Sequence, residues 1–234
     1  MENFGDAPFY PDDAPKHVVA SMTTAVQRVV AAVSLPVGVN VLRNDAAAAV
    51  SVAAATGADF VRANVHSGAA VTDQGVIEGT AHETVRLRER LDADVSILAD
   101  VGVKHAAPLG DRPFAERVRD VVERGRADGV VVSGAGTSEP TPEGRLREAR
   151  ETLASFDRDV PLFAGSGVTA ETAAVTLSTA DGAIVGTALK EGGETTNPVD
   201  PDRVRRVVEA RGDGVNGQSS TGDHPDGPGP HEEN

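Results

Sequence analysis

Apolar positions along this chain fall into short β-branched runs separated by stretches with helical spacing. The runs are Val37–Leu42, Phe60–Val65, Ser96–Val103, Gly129–Ser133, Pro161–Ala164 and Gly182–Gly186. Between and around them, Ala14–Ala32, Ala46–Thr56, Glu78–Leu91, Phe114–Gly125, Pro142–Ser155, Ala170–Leu177 and Pro201–Ala210 read as helices. Runs without a polar alternate over most of their length are buried on both faces, as parallel strands are. Strand alternating with helix implies right-handed βαβ units. The expected architecture is therefore α/β, a TIM-like barrel spanning residues 1–210. A closed barrel needs eight strands. Six runs are visible, with Glu2-Asn3-Phe4 as the end of a seventh, so the barrel is expected to be incomplete. From residue 211 to 234 the chain turns to Gly, Asp, Pro, Ser and His without apolar periodicity, which reads as a disordered acidic tail.

Polar residues gather where these runs end. Arg62, Asn64 and His66 share one parity, as do Asp100 and Lys104 on the next strand, while Asn40 and Ser133 end the strands on either side. In a barrel every second residue points inward, and side chains converging from several strand ends are the layout of a barrel active site. Asp100, Lys104, Glu2, Asn40, Arg62 and Asn64 are the candidate catalytic set. A buried lysine can act as a Schiff-base nucleophile or general base. An aspartate four residues earlier on the same strand instead favours a charged clamp, with Asp100 and Lys104 paired inside the barrel. His105 has the opposite parity to Lys104. Asp45 and Thr169 are expected to cap the helices that follow them. Thr72-Asp73-Gln74-Gly75 reads equally as a lid segment or as a plain turn before a helix, and Asp73, Gln74 and Glu78 are the residues of that loop with polar reach.

Two late strands each run into a glycine turn, Gly165-Ser166-Gly167-Val168-Thr169 and Ile184-Val185-Gly186-Thr187. Glycines leave backbone N–H groups uncovered, and such turns hold anions. The loops after the last two strands are the usual phosphate site of a barrel. Gly165, Ser166, Gly167, Gly186 and Thr187 are the candidate phosphate ligands, although each turn by itself is also explained by close packing.

Composition narrows the partners. The net charge of −14 excludes the basic face a nucleic-acid binder needs, and argues against adsorption to anionic membranes. Lysine occurs only at Lys16, Lys104 and Lys190. An acidic, lysine-poor, alanine-rich chain is expected in the cytoplasm of a salt-loving organism, where screening tolerates self-repulsion. The absence of cysteine removes disulfides, zinc–thiolate sites and cysteine nucleophiles. No run has the length of a membrane span, and the N-terminus lacks the pattern of a signal peptide. No metal or cofactor is expected.

Several longer blocks resemble the BtpA/SgcQ family: Glu2-Asn3-Phe4-Gly5-Asp6-Ala7-Pro8-Phe9, Gly38-Val39-Asn40-Val41-Leu42-Arg43-Asn44-Asp45, Thr72-Asp73-Gln74-Gly75 with Ile77-Glu78-Gly79, Ala99-Asp100-Val101 with Val103-Lys104-His105, and Gly165-Ser166-Gly167-Val168-Thr169. The resemblance runs from Glu2 to about Arg211. It implies a barrel of the ribulose-phosphate-binding type, similar to phosphoribosylanthranilate isomerase. One branch of the family is linked to photosystem I biogenesis, and another to sugar metabolism or nucleosidase-like chemistry. Members usually carry a first strand and helix, then a second strand running into the Glu-Asn-Phe block. The resemblance thus also implies an upstream coding segment.

Two functions remain open at this level. The first is an enzyme acting on a phosphorylated sugar or nucleotide-like metabolite by isomerisation or glycosidic cleavage, with Glu2 as acid/base. The second is a non-catalytic biogenesis factor for a membrane complex. The expected partner is a phosphorylated small molecule, with homo-oligomerisation left open.

Overall fold

The computed structural model of the protein describes residues 1–102, 106–134 and 141–212. In chain order its strands are β1 (Gly38–Val39), β2 (Phe60–Ala63), β3 (Ala69–Thr72), β4 (Gly75–Glu78), β5 (Ser96–Asp100), β6 (Ala106–Pro108), β7 (Gly129–Val132), β8 (Leu162–Ala164) and β9 (Gly182–Ala183). Its α-helices are α1 (Lys16–Ala32), α2 (Ala46–Thr56), α3 (Ala81–Arg90), α4 (Phe114–Arg119), α5 (Glu143–Leu153), α6 (Ala173–Leu177) and α7 (Pro201–Glu209). Six strands form one parallel sheet in the order β1-β2-β5-β7-β8-β9, curled into a half-barrel with helices outside. The expected seventh strand is present as a stub. Glu2 bridges Asn40 in parallel, and the Asn40 N–H donates to the Met1 carbonyl at 2.9 Å. Among the described residues, β9 and this stub are the two edges of the half-barrel.

Strand parity sorts the two faces. Val61, Ile97, Ala99, Val130, Val132, Leu162 and Ala164 point outward and pack under the helices. Each such side chain contributes about 1.5–3 kcal/mol when fully buried, less for alanine. The other parity carries Arg62, Leu98, Asp100, Val131 and Phe163 into the barrel, where Arg62 is level with Leu98 and Asp100 with Val131. Glycines make room for the large inward groups: a Cβ at Gly38 would lie 2.0 Å from the Phe60 ring, and one at Gly182 2.7 Å from the Phe163 ring.

The base of the barrel is tied by a repeat. Ala58-Asp59, Ala127-Asp128 and Ala180-Asp181 each precede a strand, and each alanine is buried. Each aspartate accepts a hydrogen bond from the backbone of the preceding strand: Asp59 from Val37, Asp128 from Ile97 and Asp181 from Leu162, all at 2.7–2.8 Å. These bonds fix strand register at the end opposite the polar cluster.

Several boundaries differ from the sequence reading. Asp45 caps α2, accepting from the Ala48 N–H at 2.8 Å, and Gly57 ends it in the left-handed region at φ +72°. Thr169 caps no helix through its side chain, because α6 starts only at Ala173; its carbonyl accepts from Thr172 and Ala173. Glu78 does not open a helix. It ends β4 in a hairpin with β3, and β6 pairs on the other side of β3, giving a separate antiparallel sheet of three short strands. α4 continues as a π-helical turn over Asp120–Arg124. The tail expectation falls almost entirely on residues 213–234, outside the described residues.

Candidate active site

At the C-terminal ends of β2 and β5, Arg62 and Asp100 form a buried fork-to-fork pair. Arg62 Nε donates to Asp100 Oδ1 at 3.1 Å and Nη2 to Oδ2 at 3.0 Å. Nη2 also reaches the Ser133 Oγ at 3.4 Å, and Asn64 Nδ2 donates to Asp100 Oδ2 at 2.9 Å. Burial is the largest influence on the Asp100 carboxyl and raises its pKa above the ordinary carboxylate value. The hydrogen bonds from Arg62 and Asn64 oppose that rise. Burial works against the Arg62 cation too, but Asp100 more than offsets it, so the guanidinium stays charged. Bidentate geometry of this kind fixes orientation as well as charge.

Asn40 and Glu2 stand at the neighbouring strand end, beyond β1, with Asn40 Nδ2 donating to Glu2 Oε2 at 2.8 Å. Because both asparagines give their N–H to carboxylates, their amide orientations are determined. The two carbonyl oxygens, Asn40 Oδ1 and Asn64 Oδ1, are buried without a partner among the described residues. An unsatisfied buried acceptor is costly and calls for a donor such as a ligand hydroxyl or N–H.

An open cavity of about 910 Å³ connects Glu2 and Arg62 to the glycine turns. Its wall includes Glu2 and Arg62 on one side, and Gly165–Gly167 with Gly186 and Thr187 on the other. Among the described residues, the N–H groups of Gly167, Thr187 and Ala188 make no backbone hydrogen bond. Ser166 has a structural bond as well: its Oγ accepts from the Gly134 N–H at 2.9 Å, joining the loops after β7 and β8. Thr187 Oγ1 lies 2.9 Å from Thr195 Oγ1.

Three further cations line the same cavity: Lys190, Arg203 and Arg206. Arg203 donates to the Ala188 carbonyl at 3.0 Å, which holds the turn after β9 in place. Lys190 and Arg206 have no ion pair among the described residues. Glu171 lines that rim too, and Asp200 lies 3.8 Å from Arg203; the Glu171 carboxyl is held below the ordinary value by the Thr169 hydroxyl and its own N–H, with Arg206 and Arg203 adding to the effect. These cations were not singled out from the sequence. Arg203 and Arg206 lie on α7, whose start is fixed by the Asp200 cap and Pro201, and Lys190 lies in the turn after β9.

Other expected site residues lie elsewhere. Asp73 and Gln74 form the tip of the β3–β4 hairpin, Glu78 is exposed, and none of the three lines a cavity. Lys104 and His105 lie outside the described residues. Among the described residues the partners of Asp100 are Arg62 and Asn64. Among the described residues no group of His, Asp and Glu is arranged to hold a metal.

The family is decided at this point. The BtpA family model matches residues 1–212. The chain belongs to the BtpA family. An uncharacterised protein of Thermococcus kodakarensis is 48% identical over 89% of the chain and 77% of its own length. The photosystem I biogenesis protein BtpA of Synechocystis is 43% identical over 94% of the chain and 75% of its own length. Solved structures similar to this BtpA-family fold include N-(5'-phosphoribosyl)anthranilate isomerase of Pyrococcus furiosus, with a TM-score of 0.53 at 14% identity over 81% of the chain and 80% of that structure. Thiamine phosphate pyrophosphorylase of the same organism gives 0.52 at 18% identity, over 86% and 81%. These likenesses establish the TIM-barrel-like fold of this BtpA-family chain. No described helix is long and apolar enough to cross a membrane.

His66, of the same parity as Arg62, leaves the barrel mouth altogether. It is fully buried, and its Nε2 donates to the Gly125 carbonyl at 2.8 Å, just beyond the π turn. Burial is the main cause holding its pKa below the ordinary value, so the ring is neutral. Below the unfolded value of about 6.5 the unfolded chain takes up a proton that the folded chain refuses. Stability is therefore present above about pH 6.5 and falls as pH drops through that value toward the lower folded-state one. In His66→Gln, whose amide can still donate to Gly125, the melting temperature measured against pH should show a smaller fall over that window.

Proposed function

We propose that this BtpA-family chain is an enzyme that binds a phosphorylated, hydroxyl-bearing metabolite, a phosphosugar or nucleotide-like compound. On it the enzyme moves a proton, as in isomerisation, or assists cleavage of a glycosidic bond. The carrying observation is that one cavity joins the glycine turns and their cations to the polar strand ends. The phosphate sits against Gly167, Gly186 and Thr187, with Lys190, Arg203 and Arg206 supplying charge. Glu2, steadied by Asn40, is the acid/base group, because its carboxylate is the one in the cavity wall near the polar cluster that is not locked in an ion pair. Arg62, held by Asp100, presents its remaining donors to charge that develops on the ligand.

A second reading is a non-catalytic biogenesis factor, favoured by the 43% identity to the Synechocystis photosystem I biogenesis protein. A thermal-shift screen of the full chain separates the two. The enzyme reading expects phosphosugars or nucleoside monophosphates to raise the melting temperature more than their dephosphorylated forms, and Glu2→Gln to retain that shift while losing turnover. Equal shifts with and without the phosphate would overturn it.

A further inference from the structure

A second, smaller cavity lies on the other side of the polar cluster. It is about 80 Å³ and is lined by Asn64 and Asp100 from the barrel, Gly102 from the turn after β5, Ala69 and Ala70 of β3, and Arg112, Arg117 and Asp120 around α4. Its volume is several times the ~10–15 Å³ that one water occupies by the same kind of measure, and suits one small oxyanion. It shares Asp100 with the main site, since the carboxylate that closes its wall is the one that Arg62 grips from the larger cavity.

The charges here do not all find partners. Asp100 is taken up by Arg62 and Asn64. Asp120 is held by Arg112, which also reaches Glu116 at 3.5 Å. Arg145 stacks on the Phe114 ring, 4.6 Å from its centre. Arg117 is left: half-buried on α4, it has no hydrogen bond or ion pair among the described residues. A Cβ built on Gly102 would lie 4.0 Å from Arg117 Nη2, which places the guanidinium at the catalytic end of the sheet. Burial lowers its pKa, and the neighbouring Arg145 and Arg112 lower it further, as expected where a cation lacks its counter-ion. A partly desolvated guanidinium is a costly group to leave unpaired, and its planar fork fits a carboxylate or phosphate.

We propose that the cavity bounded by Gly102, Arg112 and Arg117 is a second oxyanion subsite, so that the ligand of this protein carries an acidic group at each end. The existence of the subsite stands on this cavity alone. Its assignment to the same molecule rests on the phosphate reading of the larger cavity. Arg117 binds the second oxyanion as a bidentate donor, and Asn64 lies between the two ends.

The test is calorimetric titration of the full chain with inorganic phosphate, with circular dichroism to confirm folding of each variant. The wild type should bind two phosphates. Arg117→Gln should weaken one by at least tenfold, and Arg117→Lys, which keeps the charge without the fork, should weaken it less. In Gly102→Asp the new carboxylate should lie beside Arg117 and occupy the subsite from within, again removing one phosphate. The φ of +85° strains any side chain at this position, aspartate less than most, so the Arg117 variants carry the test if Gly102→Asp does not fold. A sugar bisphosphate should bind at least tenfold more tightly than the monophosphate, and Arg117→Gln should abolish that advantage. One phosphate lost in Gly167→Asp and untouched by Arg117→Gln and Gly102→Asp overturns the subsite and leaves the glycine-turn site standing. One phosphate lost only in the Arg117 and Gly102 variants keeps the subsite and overturns the glycine-turn site.

Discussion

Asp100→Asn should destabilise the protein by about 3–5 kcal/mol, the cost of stranding one member of a buried ion pair. At this chain length the melting temperature would fall by on the order of 10 °C. Both side chains are buried, and the guanidinium loses the only carboxylate it contacts among the described residues. The double variant Arg62→Met with Asp100→Leu removes both charges and should recover most of the loss, because an apolar pair of similar volume leaves nothing unpaired. Ligand binding should not recover with it, since the cavity then lacks the Arg62 donors. Chemical denaturation of the three proteins separates these outcomes. A single variant as stable as the wild type would mean that the pair contributes nothing to the fold.

Gly167→Asp should lower the affinity for inorganic phosphate or a phosphorylated ligand at the large cavity by about 30–100-fold, equivalent to roughly 2–3 kcal/mol. The residue sits at φ +68°, and its N–H is among those left open to the cavity. The aspartate places a negative charge where Lys190, Arg203 and Arg206 supply positive charge. Gly167→Asn carries the same backbone strain without the charge, so the difference between the two variants reports the electrostatic part. If both bind phosphate as the wild type does, the glycine turn is only a packing feature.

Much of this fold can be read from hydrophobic periodicity, because parallel strands are buried on both faces and leave continuous apolar runs. Strand parity also brought Arg62, Asn64 and Asp100 together correctly. It could not tell which of them pair, since that depends on neighbouring strands and their register. The bond from Arg62 to Asp100 crosses between adjacent strands, a pairing that parity along one strand does not reveal. The β3–β4 hairpin was missed because each strand is four residues long and exposes Val71 and Val76, so neither run looks buried. The Ala-Asp repeat at the strand starts was legible in principle: a small residue fits under the sheet, and a carboxylate accepts from the adjacent strand. The cations on α7 were not legible, because a charged helix ordinarily reads as a solvated face.

The small antiparallel sheet beside the second cavity has a consequence for the order in which the molecule opens. It is anchored by a satellite cluster of only Val65, Ala70 and Ile77, with Ala106 packed against it. β7 is buried along its whole length between two neighbouring strands. Amide protons of β3 and β4 should therefore exchange with deuterium through a low-energy local excursion, while those of Val130–Val132 should exchange only when the whole chain unfolds. Such a hierarchy would let the edge of the oxyanion pocket come and go many times during one lifetime of the folded barrel, without disturbing the strands that carry Arg62 and Asp100.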